Sequence, residues 1–368
     1  MLLKYVQLKN FRNYLFKEFN FSDKKNIITG KNGTGKTSLL EAIYIISNSK
    51  SFRSPDFFIP NYNSNTYYIK GDLIETKKIT HTIEISYTKS EKRKQIKFDS
   101  SPINNFSKII GTLKSVLFVH KDLLIIEGSP EIKRKFLNTL FSQIDKEYYS
   151  NLIKYSKILE SRNFVLKQED NPQKFKNIEI LNQSLAEYGS KIVFKRFQYI
   201  SELSKIFTQE MQKRELDLNQ PEIKYVSNIK ENKFHNIEDI KENYLNLLEK
   251  DIKKEILLGH TIYGPHRDNI IFINKEGYDL SEILSLGEKR VVSLITKFAE
   301  FYFIKSRTSD TPIILMDDIL LELDDRNRYI FIEFINSIDT QFFITTINSE
   351  HYNNIEEKKE INLDAESI

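Results

Sequence analysis

The chain has 368 residues, 40% of them hydrophobic and 29% charged, with a formal net charge of +4; that length can bury a large core and has room for two or three domains. The absence of cysteine excludes a disulfide framework and thiolate-held metals. No apolar run approaches membrane-spanning length and Met1–Val6 lacks a signal-peptide pattern, so a cytoplasmic location is expected. The charge is uneven: residues 1–100 hold 18 Lys and Arg against 9 Asp and Glu. A basic N-terminal part suits phosphate-rich ligands, whether nucleotide or nucleic acid.

From the N-terminus, Leu3, Tyr5, Gln7 and Lys9 alternate with Lys4, Val6 and Leu8, which predicts strand, and Phe11-Arg12-Asn13-Tyr14 breaks the pattern. Lys25–Thr29 reads as a short strand. It leads into Gly30-Lys31-Asn32-Gly33-Thr34-Gly35-Lys36-Thr37, which fits the phosphate-binding loop G-x-x-x-x-G-K-[ST]. Its glycines let the backbone curl and turn N–H groups toward phosphate oxygens. Lys36 can reach the β- and γ-phosphates, and the Thr37 hydroxyl is a hard oxygen ligand suited to Mg²⁺. Ser38–Ile46 follows as an apolar helix whose N-terminus would face those phosphates. The pattern predicts a bound nucleoside triphosphate.

Asn48–Pro55 is a polar loop, and residues 66–99 read as antiparallel strands, with Ile79, His81, Ile83, Ile85 and Tyr87 alternating. Lys92-Arg93-Lys94 reads as a solvated hairpin edge, and His81 as structural. Ser115–Val119 is a buried strand before the loop His120–Asp122. From about Pro130 to Lys254 the texture is helical, with a stripe through Ile178, Leu181, Leu185, Tyr188, Ile192, Tyr199, Leu203 and Ile206 that suits a helical hairpin. Strands are expected again at Glu222–Val226, Thr261–Tyr263, Ile270–Ile273, Ile313–Met316 and Gln341–Thr345, with a helix over Gly287–Arg307 and a short strand and loose tail in 351–368.

Pro312–Asp318 is an apolar run ending in two carboxylates, the form in which a buried strand delivers an Asp to a nucleotide site. Asp317 can hold Mg²⁺ through water or Thr37, and Asp318 can polarise an attacking water. Such a distance from Thr37 requires a large insertion, which the helical middle supplies. Ser285-Leu286-Gly287-Glu288 is a capping box opening a helix, and the same terminus offers N–H groups and a positive dipole end to an anion.

These pieces, with Leu8–Tyr14, Leu40–Tyr44 and Ser51-Phe52-Arg53, resemble the RecF family of bacterial recombination mediators, relatives of the SMC and ABC-type ATPases. Asp122-Leu123 with Glu127–Pro130 and Arg134–Leu137, then Ser161-Arg162-Asn163, Gly264–Asp268, and Asp317-Asp318 with Glu322-Leu323-Asp324 continue the likeness in order along nearly the whole chain. The resemblance implies an α/β fold: an ABC/SMC-like P-loop ATPase head with a mixed sheet and an antiparallel β-subdomain, plus an inserted α-helical arm. On that reading residues 1–129 and 255–368 form the two halves of the head and 130–254 the arm.

It further implies ATP and Mg²⁺ as ligands. Gly30–Ser38 and Arg12 would contact the nucleotide, Thr37 and Asp317 would hold the metal, and Lys36, Asp317 and Asp318 would act in hydrolysis. Two copies would close head to head, with Ser285, Gly287 and Asp324 acting across the interface. The implied partners are double-stranded DNA, junctions with single-stranded gaps, RecR, RecO and, indirectly, RecA. Two departures stand out: Leu286 replaces the glutamine of the S-Q-G signature, and Thr345–Asn348 contains no switch histidine. Asp122 is a candidate for a Q-loop role, and Lys50, Arg53, Lys133, Arg134 and Arg162 are candidate DNA contacts. A nuclease of the overcoming-lysogenization-defect type and a P-loop kinase are the alternatives. The first lacks the extra acidic cluster it would need after Asp325, and the second has the wrong spacing between Thr37 and Asp317.

Overall fold

The computed structural model describes the chain apart from residues 76–78, 104–108, 169–171, 217, 230–235, 324, 348–351, 353–354, 356 and 365–368, with backbone alone at 321 and 322. Packing divides it into two units, Met1–Asp122 with Glu300–Ile368, and Leu123–Ala299.

In the first unit, β1 (Leu2–Phe11) and β2 (Tyr14–Asn20) form a hairpin, β3 (Lys25–Thr29) leads into helix α1 (Lys36–Asn48), and β4 (Thr66–Ile74), β5 (Thr80–Thr88), β6 (Arg93–Phe98) and β7 (Ser101–Pro102) follow. An antiparallel sheet runs in the order β2-β1-β4-β5-β6-β7. Its alternating residues Val6, Leu8, Ile69, Leu73, Ile83 and Ile85 are fully buried, the period-2 pattern of a sheet with one face on the core. Helix α1 is buried nearly all round, with Leu39, Leu40, Ala42, Ile43, Ile45 and Ile46 at 0% exposure. A helix of that kind has to be covered on every side. It packs on β1 and β4 of the antiparallel sheet.

The second unit comprises α2 (Leu124–Glu127), α3 (Pro130–Ile144), α4 (Lys146–Lys167), α5 (Lys174–Lys213), β9 (Glu222–Val226), α6 (Ile237–Lys250), α7 (Ile252–Leu258), β10 (Asn269–Ile273), α8 (Leu280–Ile283) and the start of α9 (Leu286–Arg307); strand β8 (Ser115–Phe118) closes the first unit before it. Helices α4 and α5 pack as a hairpin, and Ile178, Leu185, Ile192 and Leu203 of the expected stripe are buried. Two arginines lie in this core. Arg162, at 0% exposure, donates to Glu255 Oε2 at 2.6 Å, Asn182 Oδ1 at 2.7 Å and Thr261 Oγ1 at 2.7 Å. Arg196 donates to Pro265 O at 2.7 Å, Asn138 Oδ1 at 2.9 Å and Tyr148 Oη at 3.0 Å, and pairs with Asp268. Buried charges persist only when so satisfied.

The last part returns to the first unit with β11 (Ile313–Asp317), α10 (Asp325–Ser337), β12 (Phe342–Thr346) and β13 (Lys358–Asn362). These make a wholly parallel sheet in the order β13-β3-β12-β11-β8. Ile313–Met316 are buried, as strands covered on both faces are, and α1 also packs on β8, β11 and β12.

Three expectations change. Thr261–Tyr263 is not a strand, because side chains claim its amides: Asn163 Oδ1 accepts from Thr261 N and Glu255 Oε1 from Ile262 N, both at 2.8 Å. Lys94 is not a solvated edge residue, since its ammonium reaches Ser49 O at 2.7 Å and Asp56 Oδ1 at 2.9 Å. Residues 255–299, grouped by sequence with the C-terminal half, pack within the second unit, where β10 pairs with β9 and α3 lies on β10.

His266 is mostly buried beside Tyr155 Oη at 2.7 Å, and burial pushes its imidazole down to about 4, with Arg267, Arg134 and Arg162 adding to the effect. Since the folded value lies below the ordinary one near 6.5, His266 contributes stability above that pH and loses it as pH falls toward 4. Thermal melts from pH 7 to pH 4 should therefore decline more steeply for the wild type than for His266→Gln. Parallel curves would remove His266 from this role.

Candidate functional site

The loop from Gly30 to Gly35 is held at both ends by buried elements, β3 and α1, and is braced from outside. Tyr14 Oη donates to Gly35 O at 3.1 Å and Asn13 Nδ2 to Gly33 O at 3.5 Å. The Asp364 carboxylate accepts from Lys31 N at 3.1 Å, and Thr34 Oγ1 donates to Lys31 O at 2.9 Å. Gly35 has φ 109°, and a Cβ there would lie 2.6 Å from Tyr14 Oη, so only glycine fits. Lys31, Asn32 and Gly33 are exposed, whereas Lys36 and Ser38 are buried in the first turn of α1. No side chain caps that helix, so its leading amides are open to an anion. Lys36 Nζ donates to Gly30 O at 2.6 Å and Lys31 O at 3.0 Å. It is thus folded onto the loop's own carbonyls.

Asp317 ends β11. Its Oδ1 accepts from Thr37 Oγ1 and from Thr345 Oγ1, each at 2.8 Å, leaving Oδ2 uncommitted among the described residues. Asp318 is left-handed, with φ 51°, and its Oδ1 is buried without a hydrogen-bond partner among the described residues. Burial pushes its carboxyl above the usual carboxylate range; Lys36 opposes that shift and Asp317 adds to it. A Thr–Asp oxygen pair beside an unpartnered buried carboxylate fits a hard divalent cation such as Mg²⁺. Among the described residues no three acidic, His or Cys side chains are grouped so that they could hold a metal ion, so ligand oxygens and water would complete the shell.

These groups line a cleft of about 440 Å³ between Asn13, Gly33, Lys36, Thr37, Arg53 and Asp318. Arg12 also borders it, but its guanidinium is engaged: it donates to Glu41 at 2.6 and 2.9 Å, Ser54 Oγ at 2.6 Å and Phe58 O at 2.7 Å. Arg53 is exposed and holds Glu41 at 3.4 Å. The sequence reading put it with the DNA candidates, whereas the structure puts it in the cleft wall. Glu41 also accepts from Ser51 and is 0% exposed. Sequence reasoning missed its role, although a lone carboxylate inside Leu39–Ile46 was a signal, because a buried charge requires partners. Asn13, Tyr14, Thr345 and Asp364 were missed too; only Asn13 and Tyr14 left a trace, in the break between two strand patterns.

The capping box at α9 forms as its residues suggest. Ser285 N and Oγ donate to Glu288 Oε2 at 2.9 and 2.7 Å, and Glu288 N returns a bond to Ser285 Oγ at 3.4 Å. Leu286 is 52% exposed, and a Cβ on Gly287 would meet nothing within 4 Å. Asp324 lies outside the described residues. Asp122 accepts from Val119 N, three residues back, at 2.8 Å, while its own N–H donates to Val119 O at 2.9 Å, so it closes its own turn. Two DNA candidates are withdrawn: Lys133 is 5% exposed and Arg162 0%, the latter spent on Glu255. Arg134 is half-buried on Asp268 O, and Lys50 is exposed.

A phosphate loop, a strand-end acidic pair and a parallel sheet define an SMC-type head. The family model described as RecF/RecN/SMC N terminal domain matches residues 2–367. An SMC head bound to the C-winged helix domain of ScpA shares the fold, with TM-score 0.51 at 15% identity over 95% of this chain and 90% of that one. The chain belongs to the RecF family. It is 34% identical over 365 residues to the DNA replication and repair protein RecF of Ruminiclostridium cellulolyticum, covering 96% of this chain and 95% of the relative. It is 36% identical over 351 residues to that of Clostridium kluyveri, covering 94% and 92%. The solved structure of the recombination mediator protein RecF-ATP in the RecFOR pathway superposes with TM-score 0.87 at 29% identity, over 95% of this chain and 92% of that one.

Glu41→Ala would leave Arg12 facing a buried void. A loss of about 3–5 kcal/mol in the stability of the first unit is expected, the cost of breaking a buried ion pair, against under about 1 kcal/mol for the exposed Arg53→Ala. Denaturant titration followed by tyrosine fluorescence compares them, and equal losses would contradict the assignment.

Proposed function

We propose that the chain is a RecF-type, ATP-dependent DNA-binding protein of replication and recombinational repair, in which weak, DNA-dependent ATP hydrolysis resets a homodimeric clamp. The observation that carries this reading is the 2.8 Å contact of Thr37 with Asp317 beside a braced phosphate loop, in a chain that superposes on RecF-ATP over 95% of its length.

In this reading Lys36 leaves the carbonyls of Gly30 and Lys31 for the β- and γ-phosphates, and the amides of Gly33–Ser38 cradle the same oxygens. Thr37 and Asp317 hold Mg²⁺: donating its proton to Asp317 leaves the Thr37 oxygen's lone pairs for the metal. When bound, the ion neutralises charge on the phosphates. Asp318, unpartnered and raised in pKa, orients and polarises the attacking water. Arg53 supplies a further cation to the cleft, while Arg12 acts through Glu41.

Each cleft would be closed by the α9 terminus of a second copy. The exposed Ser285, Leu286 and Gly287 leave that helix end open to such a partner, and its dipole favours a phosphate. With leucine at position 286, closure relies on Ser285, Gly287 and the helix amides. Double-stranded DNA near single-strand gaps, RecR, RecO and indirectly RecA are the partners this role calls for.

Lys36→Met should abolish nucleotide binding and leave the chain monomeric in ATP by sedimentation velocity, where the wild type dimerises. A stable ATP-dependent dimer of the variant would count against the loop's role. DNA affinity of the wild type should fall as salt rises, with a log–log slope of about −0.9 per phosphate contact. Salt-independent binding would rule out a backbone-contacting surface.

A further inference from the structure

Strand β12 runs beside β11 in parallel register, with Thr345 opposite Asp317. Thr345 is fully buried, and its hydroxyl lies within reach of one group each of Met316, Asp317 and Asp318. Its Oγ1 lies 2.8 Å from Asp317 Oδ1 and 3.3 Å from Met316 O, and it accepts from Asp318 N at 3.2 Å. One hydroxyl thus touches both carboxylate residues. Asp318 has left-handed backbone, φ 51°, a region that aspartate visits more readily than most non-glycine residues, and the bond from its amide to Thr345 helps hold it there.

We infer that Thr345 is a positioning residue that fixes Asp317 and Asp318 together. The inference rests on the nucleotide reading above. With Thr37 and Thr345 both donating to Asp317 Oδ1, the carboxylate is rotated so that Oδ2 is presented for a cation. Thr37 would be shared with that cation, whereas the contacts of the Thr345 hydroxyl all go to Met316, Asp317 and Asp318. Its β-branched side chain restricts χ1, so the hydroxyl direction is set by the strand rather than by the ligand. A purely structural threonine would satisfy the same amide and yet leave the cation's affinity unchanged when replaced.

The test compares Thr345→Val, which keeps the shape and loses the hydroxyl, with Thr345→Ser, which keeps the hydroxyl. Fluorescent ATP analogue binding is titrated with Mg²⁺ in the absence of turnover, and steady-state hydrolysis is measured beside it. For the valine variant the Mg²⁺ midpoint should rise and kcat fall by about 10- to 100-fold, as for other residues that orient metal ligands. Metal-free nucleotide binding and KM should stay within about threefold, and the serine variant should recover both quantities to within about threefold of wild type. Thr345→Ala carries the same comparison if the valine chain does not fold. A folded Val or Ala variant with wild-type Mg²⁺ midpoint and kcat would overturn the role while leaving the nucleotide reading intact. A wild type whose nucleotide binding ignores Mg²⁺ would overturn both.

Discussion

Thr37 and Asp317 stand 280 positions apart and meet at 2.8 Å. Their contact is possible only because the parallel sheet interleaves the two ends of the chain: β3, which carries the phosphate loop, pairs with β12, and β12 pairs with β11. In open sheets of this kind the strand ends deliver side chains to one edge. The whole first unit, with its N-terminal and C-terminal pieces, has to form before the site exists. The second unit, Leu123–Ala299, lies between those two pieces in the sequence.

Charge is handled by the same economy in both units. Glu41, Arg162, Arg196, Glu255 and Asp268 are nearly or fully buried, and each is ringed by bonded partners. Asp318 differs, being a buried carboxylate oxygen with no partner and a raised pKa. An unsatisfied group of this type is costly.

The α/β class, most strands of the first unit, α1 and the acidic strand were legible because their signals are local: an alternating pattern, an apolar run, a glycine-rich loop. What escaped the sequence was tertiary. Thr261–Tyr263 has strand-forming residues, yet Asn163 and Glu255 take its amides. Arg162 looks like a surface cation until Glu255 is seen beside it, 93 positions on. Glu41, Thr345 and Asp364 act through contacts with segments distant in sequence, which no spacing rule reports. Arg53 was read as basic surface because its proximity to the cleft arises from the loop's pinning on Glu41.

The central claim is that each nucleotide site is completed by Ser285 and Gly287 of a second copy. Mixing tests it directly: Lys36→Met loses only the phosphate loop, and Ser285→Arg only the helix terminus. Each variant alone should lack ATP hydrolysis, and an equimolar mixture should regain a substantial fraction of wild-type activity through the one intact composite site of the mixed dimer. A mixture as inactive as its components, with mixed dimers demonstrably formed, would contradict the account.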